Sequence, residues 1–269
     1  MTLLDALILG IVEGITEYLP VSSTGHLLLA ERALGIPRSD AADAYTICIQ
    51  AGAIVAVLGL YRTRVVQMAR GVLGQDPAGR RLLLNLVVAF LPAATVGFLF
   101  DDTIDALLFG LWPVVTAWFV GGFVILALRG RTGTQPIEDI QLKTAAIIGL
   151  AQCLALWPGT SRSLATILAG VVAGVALPAA VEFSFLLGLL TLGAATSYSA
   201  LKHGEVMLST FGAAPIIVGF VASFVAATLS VRWLVGWLQS RGMEVFAVWR
   251  IGLAVVVGAL LLAGVLPAG

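Results

Sequence analysis

Leu154-Ala155-Leu156-Trp157-Pro158-Gly159-Thr160-Ser161-Arg162-Ser163 lies within a stretch that is almost wholly apolar from Lys143 to Lys202. An ionised side chain at bilayer depth costs roughly 2.5–3.5 kcal/mol even on insertion scales, so Arg162 persists there only if it faces protein or a wet cavity. The proline, glycine and hydroxyl residues around it interrupt the helix that the flanking apolar residues favour. Near the N-terminus a second intrusion has the same character: Glu13-Gly14-Ile15-Thr16-Glu17-Tyr18-Leu19-Pro20-Val21-Ser22-Ser23-Thr24-Gly25-His26. Broken backbone at membrane depth is tolerated where it is buried or lines a cavity. Residues 6–30 and 145–178 therefore read as two re-entrant helical hairpins that share a buried working site.

The rest of the composition agrees. Of the 269 residues, 59% are hydrophobic and 11% charged, and mean hydropathy is +1.03; soluble domains carry about 25% charged residues. Long apolar runs favour membrane helices over the short alternating strands of a barrel. A formal net charge of zero gives no electrostatic reason for a nucleic-acid partner. Cys48 and Cys153 sit in apolar segments and read as small packing residues. No basic residue precedes the first apolar stretch, and Glu13 and Glu17 interrupt it, which makes it a poor cleavable leader.

Six further segments are long and apolar enough to span: 44–61, 82–100, 108–128, 181–201, 211–237 and 246–266. Between them, 62–81 carries Arg62, Arg64, Arg70, Arg80 and Arg81, and 129–143 carries Arg129, Arg131 and Lys143, whereas 101–105 carries Asp101, Asp102 and Asp105. The positive-inside rule places the two basic loops in the cytoplasm and the acidic one outside, with both termini outside. The chain also resembles itself. Gly10-Ile11-Val12-Glu13 matches Gly149-Leu150-Ala151-Gln152, and Pro20-Val21-Ser22-Ser23 matches Pro158-Gly159-Thr160-Ser161 at an offset of 138. The expected fold is an all-α integral membrane protein: one membrane domain, 1–269, of two repeats (about 1–130 and 140–269). Three crossings per repeat invert the second, so the hairpins enter from opposite faces. Glu182, after Pro178, reads as a favourable first-turn charge, and His203 as a solvated loop residue.

Glu13 and Glu17, four apart, share one helix face, an arrangement suited to a divalent cation or to a general base beside an electrostatic partner. A helix packed on a polar interior with one carboxyl protonated is the plainer alternative. After each proline, hydroxyls and glycine precede renewed helix: Ser22, Ser23 and Thr24 in one case, Gly159, Thr160, Ser161 and Ser163 in the other. Such a helix start offers free N–H groups and a dipole to an anion, and Arg162 adds a planar fork matched to phosphate. Ordinary capping with an Arg–Glu structural pair is the alternative. His26 reads as a general acid or base, or as a donor to a backbone carbonyl. Ser23 or Ser22 is a candidate nucleophile, and activated water a third.

These two motifs, with Thr166 just beyond the second and with Ile49-Gln50 and Glu182-Phe183-Ser184-Phe185-Leu186-Leu187, resemble the membrane undecaprenyl-diphosphate phosphatases of the bacitracin-resistance type over nearly the whole chain. The resemblance implies removal of the terminal phosphate of the C55 isoprenoid diphosphate, which regenerates a cell-wall carrier lipid. It further implies dependence on a divalent cation (Mg or Ca), a bacterial plasma-membrane location, a site open to the outer face, and a homodimer. Carried onto matching positions, it gives Glu13 and Glu17 as the acidic pair, Ser23 as nucleophile and His26 as the histidine. Ser161, Arg162 and Thr166 become the phosphate-binding group. Leu164 departs from the pattern, standing where the family usually has Gly. The rival reading is a lipid transporter or flippase, since inverted repeats around a midplane site are also transporter architecture.

Overall fold

The computed structural model describes residues 1–108 and 110–267, and the side chains of Asp101, Asp102 and Asp105, on which the outside assignment of 101–105 rests, fall outside the described set. The chain is helical nearly throughout. In order come α1 (Leu3–Thr16), α2 (Ser23–Ala33), α3 (Asp40–Leu60), α4 (Arg62–Val72), α5 (Pro77–Leu108), α6 (Leu111–Ala127), α7 (Leu142–Gln152), α8 (Arg162–Val172), α9 (Leu177–Phe211), α10 (Ala213–Leu238) and α11 (Glu244–Leu262). Five of these (α3, α5 as far as Phe100, α9, α10 and α11) are long and apolar enough to cross a membrane, and α6, α8 and the segment Leu142–Leu156 are shorter apolar helices. Large side chains such as Leu201, Leu229 and Val248 face outward, as expected where the surrounding medium is lipid.

Both broken segments are helix–turn–helix units: α1 with α2, and α7 with α8. Each packs on a helix from the other half of the chain. Gly10 and Gly14 bring α1 so close to α10 that an added Cβ would meet the Gly219 and Ser223 carbonyl oxygens, and Ser230 Oγ donates to Gly14 O at 2.9 Å. Gly149 brings α7 equally close to the Ala89 backbone on α5. The halves are thus interlocked, and the main core cluster draws on α3, α5, α8, α9 and α10 together.

Three expectations change. The helix expected to end at 201 continues as α9 to Phe211, so His203 is helical rather than in a loop. Glu182 lies beyond the first turn of α9, which begins at Leu177 and holds no acid there. Instead of capping the helix, its Oε1 accepts from Arg64 Nε at 2.7 Å. Residues 101–105 are not a loop: α5 kinks at Phe100 (φ −125°, ψ 15°) and runs on to Leu108.

Candidate active site

Pro20 and Pro158 cannot continue the helices that precede them, and each is followed by a residue in an unusual backbone state. Ser22 (φ 73°, ψ 101°) and Ser161 (φ 75°, ψ 117°) are the non-glycine residues with positive φ among the described residues. Such conformations are costly for L-residues and cluster where function requires them. Each serine is the N-cap of an eleven-residue helix, α2 or α8. Ser161 Oγ accepts from Leu164 N at 3.2 Å, whereas the Ser22 side chain makes no such bond. The two positive-φ caps lie 139 residues apart, not 138, so by backbone conformation Ser22 matches Ser161 and Ser23 matches Arg162. Leu164 is 3% exposed inside regular helix, so nothing at this position calls for glycine.

Arg162 and Glu17, 145 residues apart, meet directly. Arg162 Nη2 donates to Glu17 Oε1 at 3.1 Å and Nη1 donates to Ser184 O at 3.0 Å. The guanidinium also lies 5.1 Å from the centroid of the Tyr18 ring. Side-chain exposures of 10% and 5% make this a buried ion pair, in which loss of either partner leaves an uncompensated charge. The other oxygen of Glu17 accepts from Ser23 Oγ at 2.5 Å. One carboxylate therefore holds a cation on one side and a hydroxyl on the other. The hydroxyl side is the arrangement by which a base activates a serine.

A cavity of about 820 Å³ opens from this point. Glu17, Ser22, Ser23, Thr24, Gly159, Ser161 and Arg162 line it, and so does Gln152. Its walls continue along α9 through Thr191 and Tyr198 to Lys202, a distance of roughly 16 Å at the helical rise. Apolar residues of α5, Phe90, Ala93 and Phe98 among them, form the facing wall.

Other expected site residues stand behind this surface. Ser163 Oγ donates to Leu19 O at 3.0 Å and lies 3.0 Å from Ser161 Oγ. Thr166 Oγ1 donates to Arg162 O at 2.9 Å and pairs with Ser184 Oγ at 2.7 Å. Ser163 thus ties α8 to the first turn and Thr166 ties it to α9, and neither lines the cavity. Thr160 is half-buried in the second turn, with its N–H bonded to Trp157 O at 3.1 Å. His26 also lies off the cavity, its Nδ1 2.7 Å from Ser22 O and its Nε2 accepting from Trp249 Nε1 at 3.0 Å.

Glu13 is 1% exposed, and its Oε1 has no hydrogen-bond partner among the described residues. No group of three or more His, Cys, Asp or Glu gathers among them either. The donor set is thus a carboxylate pair, one oxygen of which is orphaned. It fits an ion of the magnesium kind, which binds through one or two carboxylates, keeps waters, and arrives with substrate phosphates.

Sequence reading missed Trp249 and Arg250. Arg250 is fully buried and donates to Pro20 O (3.3 Å), Ala117 O (2.8 Å) and Gly159 O (3.0 Å). The signal was present: Arg250 is the lone ionisable residue of the segment 246–266, and the rule that singled out Arg162 applies to it equally. Tyr18 and Ser184 sit inside the quoted motifs, but only the fold shows what they touch.

Comparison with known proteins follows the same lines. Over 260 residues the chain is 45% identical to an undecaprenyl-diphosphatase of Sorangium cellulosum, covering 94% of this chain and 84% of that protein. With undecaprenyl-diphosphatase 1 of Chromobacterium violaceum it shares 46% identity over 259 residues, 95% of either chain. An undecaprenyl-diphosphatase of Nitrosospira multiformis is 45% identical over 258 residues, 95% of this chain and 93% of that one. The profile of the bacitracin resistance protein BacA matches residues 6–256, and the chain, a multi-pass helical membrane protein, belongs to that family.

Proposed function

We propose that the chain is an undecaprenyl-diphosphatase, releasing the terminal phosphate of undecaprenyl diphosphate to leave undecaprenyl phosphate. The observation that carries this reading is the Glu17 carboxylate, bonded at once to Ser23 and Arg162 at the inner end of an apolar-walled cavity. Arg162, whose Nε is buried without a partner, and the open N–H groups that begin α2 and α8 bind the diphosphate and offset charge on the transferring phosphoryl group. Glu17 takes the proton as Ser23 Oγ bonds to the terminal phosphorus and the bridging P–O bond breaks, which leaves lipid monophosphate. Water then cleaves the phosphoserine, and the proton held by Glu17 returns to Ser23 Oγ. Ser23 rather than Ser22 takes this role because Ser23 is the one bonded to Glu17. A divalent cation held by Glu13 and Glu17 would neutralise further phosphate charge.

The same proposal includes six crossings, α3, α5, α6, α9, α10 and α11, with α1–α2 and α7–α8 as re-entrant hairpins of two inverted repeats in one domain. The basic residues of α4 and of 129–143 put those ends in the cytoplasm. The cavity runs to Lys202, near the opposite end of α9, which favours an outward-facing mouth. Phosphate release from the C55 diphosphate by purified protein in detergent tests the enzyme, with and without chelator. No release from a folded protein, or undiminished release from Arg162→Ala, overturns the reading. A flippase acting without hydrolysis gives no release under these conditions.

A further inference from the structure

Three consecutive carbonyls of the first turn are each taken by a side chain. Pro20 O accepts from Arg250 Nη1 at 3.3 Å, Val21 O from Trp118 Nε1 at 3.0 Å, and Ser22 O from His26 Nδ1 at 2.7 Å. Arg250 also reaches the second turn, with Nη2 donating to Gly159 O at 3.0 Å and to Ala117 O of α6 at 2.8 Å. One guanidinium on α11 therefore ties the two broken segments to each other and to α6.

The bonds at His26 fix its chemical state. A carbonyl oxygen only accepts, so Nδ1 carries the hydrogen that faces Ser22 O. An indole N–H only donates, so Nε2 presents its lone pair to Trp249 Nε1, 3.0 Å away. The imidazole is neutral with both nitrogens committed. Trp249 stacks beside it with ring centroids 6.1 Å apart at 7°, and Trp118 lies tilted at 5.3 Å. Arg250 is the charged group near it, and no carboxylate contacts it among the described residues.

Pinning those carbonyls has a consequence for the donors. All peptide bonds here are trans, and in a trans peptide the C=O and the following N–H point in opposite directions across one rigid plane. Holding Val21 O toward α6 and Ser22 O toward His26 turns the N–H groups of Ser22 and Ser23 the other way. Neither N–H has a protein acceptor among the described residues, and both residues line the cavity. The positive φ of Ser22 is thus held by side-chain bonds from Trp118 and Arg250, outside both motifs, and from His26 at the end of the first.

We propose that His26, Trp249 and Arg250 are positioning residues: His26, a fixed neutral donor, and the buried Arg250 lock the two turns so that the Ser22 and Ser23 N–H groups face the diphosphate, and His26 carries no proton in the reaction. The inference rests on the phosphatase reading for its ligand, but the state of His26 is testable without turnover.

The first test is ¹⁵N NMR of histidine-labelled protein in detergent. The chain has two histidines, and His203→Gln assigns the signals. His26 should hold the neutral Nδ1–H form across about pH 6 to 8, where a free imidazole with pKa near 6.5 titrates. An imidazolium forming in that range, or the Nε2–H form, overturns the proposal whether or not the protein is a phosphatase.

The second test is kinetic. His26→Asn keeps an N–H donor near the Nδ1 position, and His26→Ala removes it. A proton carrier loses about 100-fold or more in either variant, along with one limb of the pH–rate profile. On the proposal His26→Asn recovers at least about tenfold over His26→Ala, and its profile coincides with wild type. Arg250→Lys keeps the charge but not the fork and should lose about tenfold or more in kcat/KM while remaining monodisperse with an unchanged circular dichroism spectrum. Equal losses in the two His26 variants, or wild-type kinetics in Arg250→Lys, overturn the proposal. Absence of release by wild-type protein, with the neutral tautomer seen by NMR, instead fails the phosphatase reading alone.

Discussion

The guanidinium of Arg162 lies against the bare α-carbon of Gly188, where an added Cβ would stand 2.7 Å from Nη1 and 2.8 Å from Nη2. The helix at 188 is regular, so alanine suits its backbone and the flexible end of Arg162 has to give way. That breaks its bonds to Ser184 O and Glu17. Gly188→Ala should fold normally and lose about 10- to 100-fold in kcat/KM, the scale of one misplaced electrostatic contact. Phosphate release beside a size-exclusion profile checks it, and wild-type turnover would place the guanidinium's function elsewhere.

Glu17→Gln should cost about 100-fold or more in kcat, because it removes both the base for Ser23 and the counter-charge for Arg162. Glu13→Gln should be milder, since Gln152 already stands where Glu13 falls when Ser22 is aligned with Ser161. Its defect should shrink as divalent cation is raised, if Glu13 helps to hold the ion. A cation titration of both variants separates the two roles.

The sidedness prediction uses exposed positions at opposite ends of the bundle. After Cys48 and Cys153 are replaced, Gln75→Cys beside the arginines of α4 should resist an impermeant thiol reagent applied outside intact cells. Glu205→Cys, beyond the cavity mouth at Lys202, should react. The opposite labelling pattern inverts the orientation and moves the substrate to the inner leaflet.

On the other side of the molecule Arg64 Nη2 donates to Glu138 Oε1 at 2.7 Å while its Nε holds Glu182. The hydrogen bond from Arg64 holds the Glu138 carboxyl below its ordinary value of 4.5. A lowered folded-state pKa contributes stability above that value and loses it as pH falls through the depressed one. Glu138 is half exposed, so the effect is small. Glu138→Gln should lower the detergent melting temperature by a few degrees or less at pH 7, and the difference should close as pH falls below about 4.5.

Sequence reading went far here because ionised and helix-breaking residues are expensive in lipid, so each stands out against an apolar background. Glu13, Glu17 and Arg162 were legible for that reason, and the contact between Arg162 and Glu17 follows from pairing buried charges. What periodicity does not carry is direction. Ser163 and Thr166 have the residue types of a phosphate cradle, yet their hydroxyls turn inward to Leu19 O and Ser184. The register slipped by one because Pro158 looks like the partner of Pro20, while the backbone aligns Ser22 with Ser161. Arg250 escaped because no polar neighbours in sequence mark it; its partners are main-chain oxygens.

Those oxygens set a timetable for the protein's manufacture. Pro20 precedes Arg250 by 230 residues and Gly159 precedes it by 91, and α11 is the last helix in chain order. At ~5–20 residues per second the first turn leaves the ribosome roughly 12–46 s before the arginine that braces it. The second turn follows later, so only for the last ~5–18 s, the 91 residues between Gly159 and Arg250, do both turns exist without their common brace. A half-made chain would therefore carry Ser23, Glu17 and Arg162 with neither turn yet braced, and the arrangement around them would be complete only once α11 is inserted.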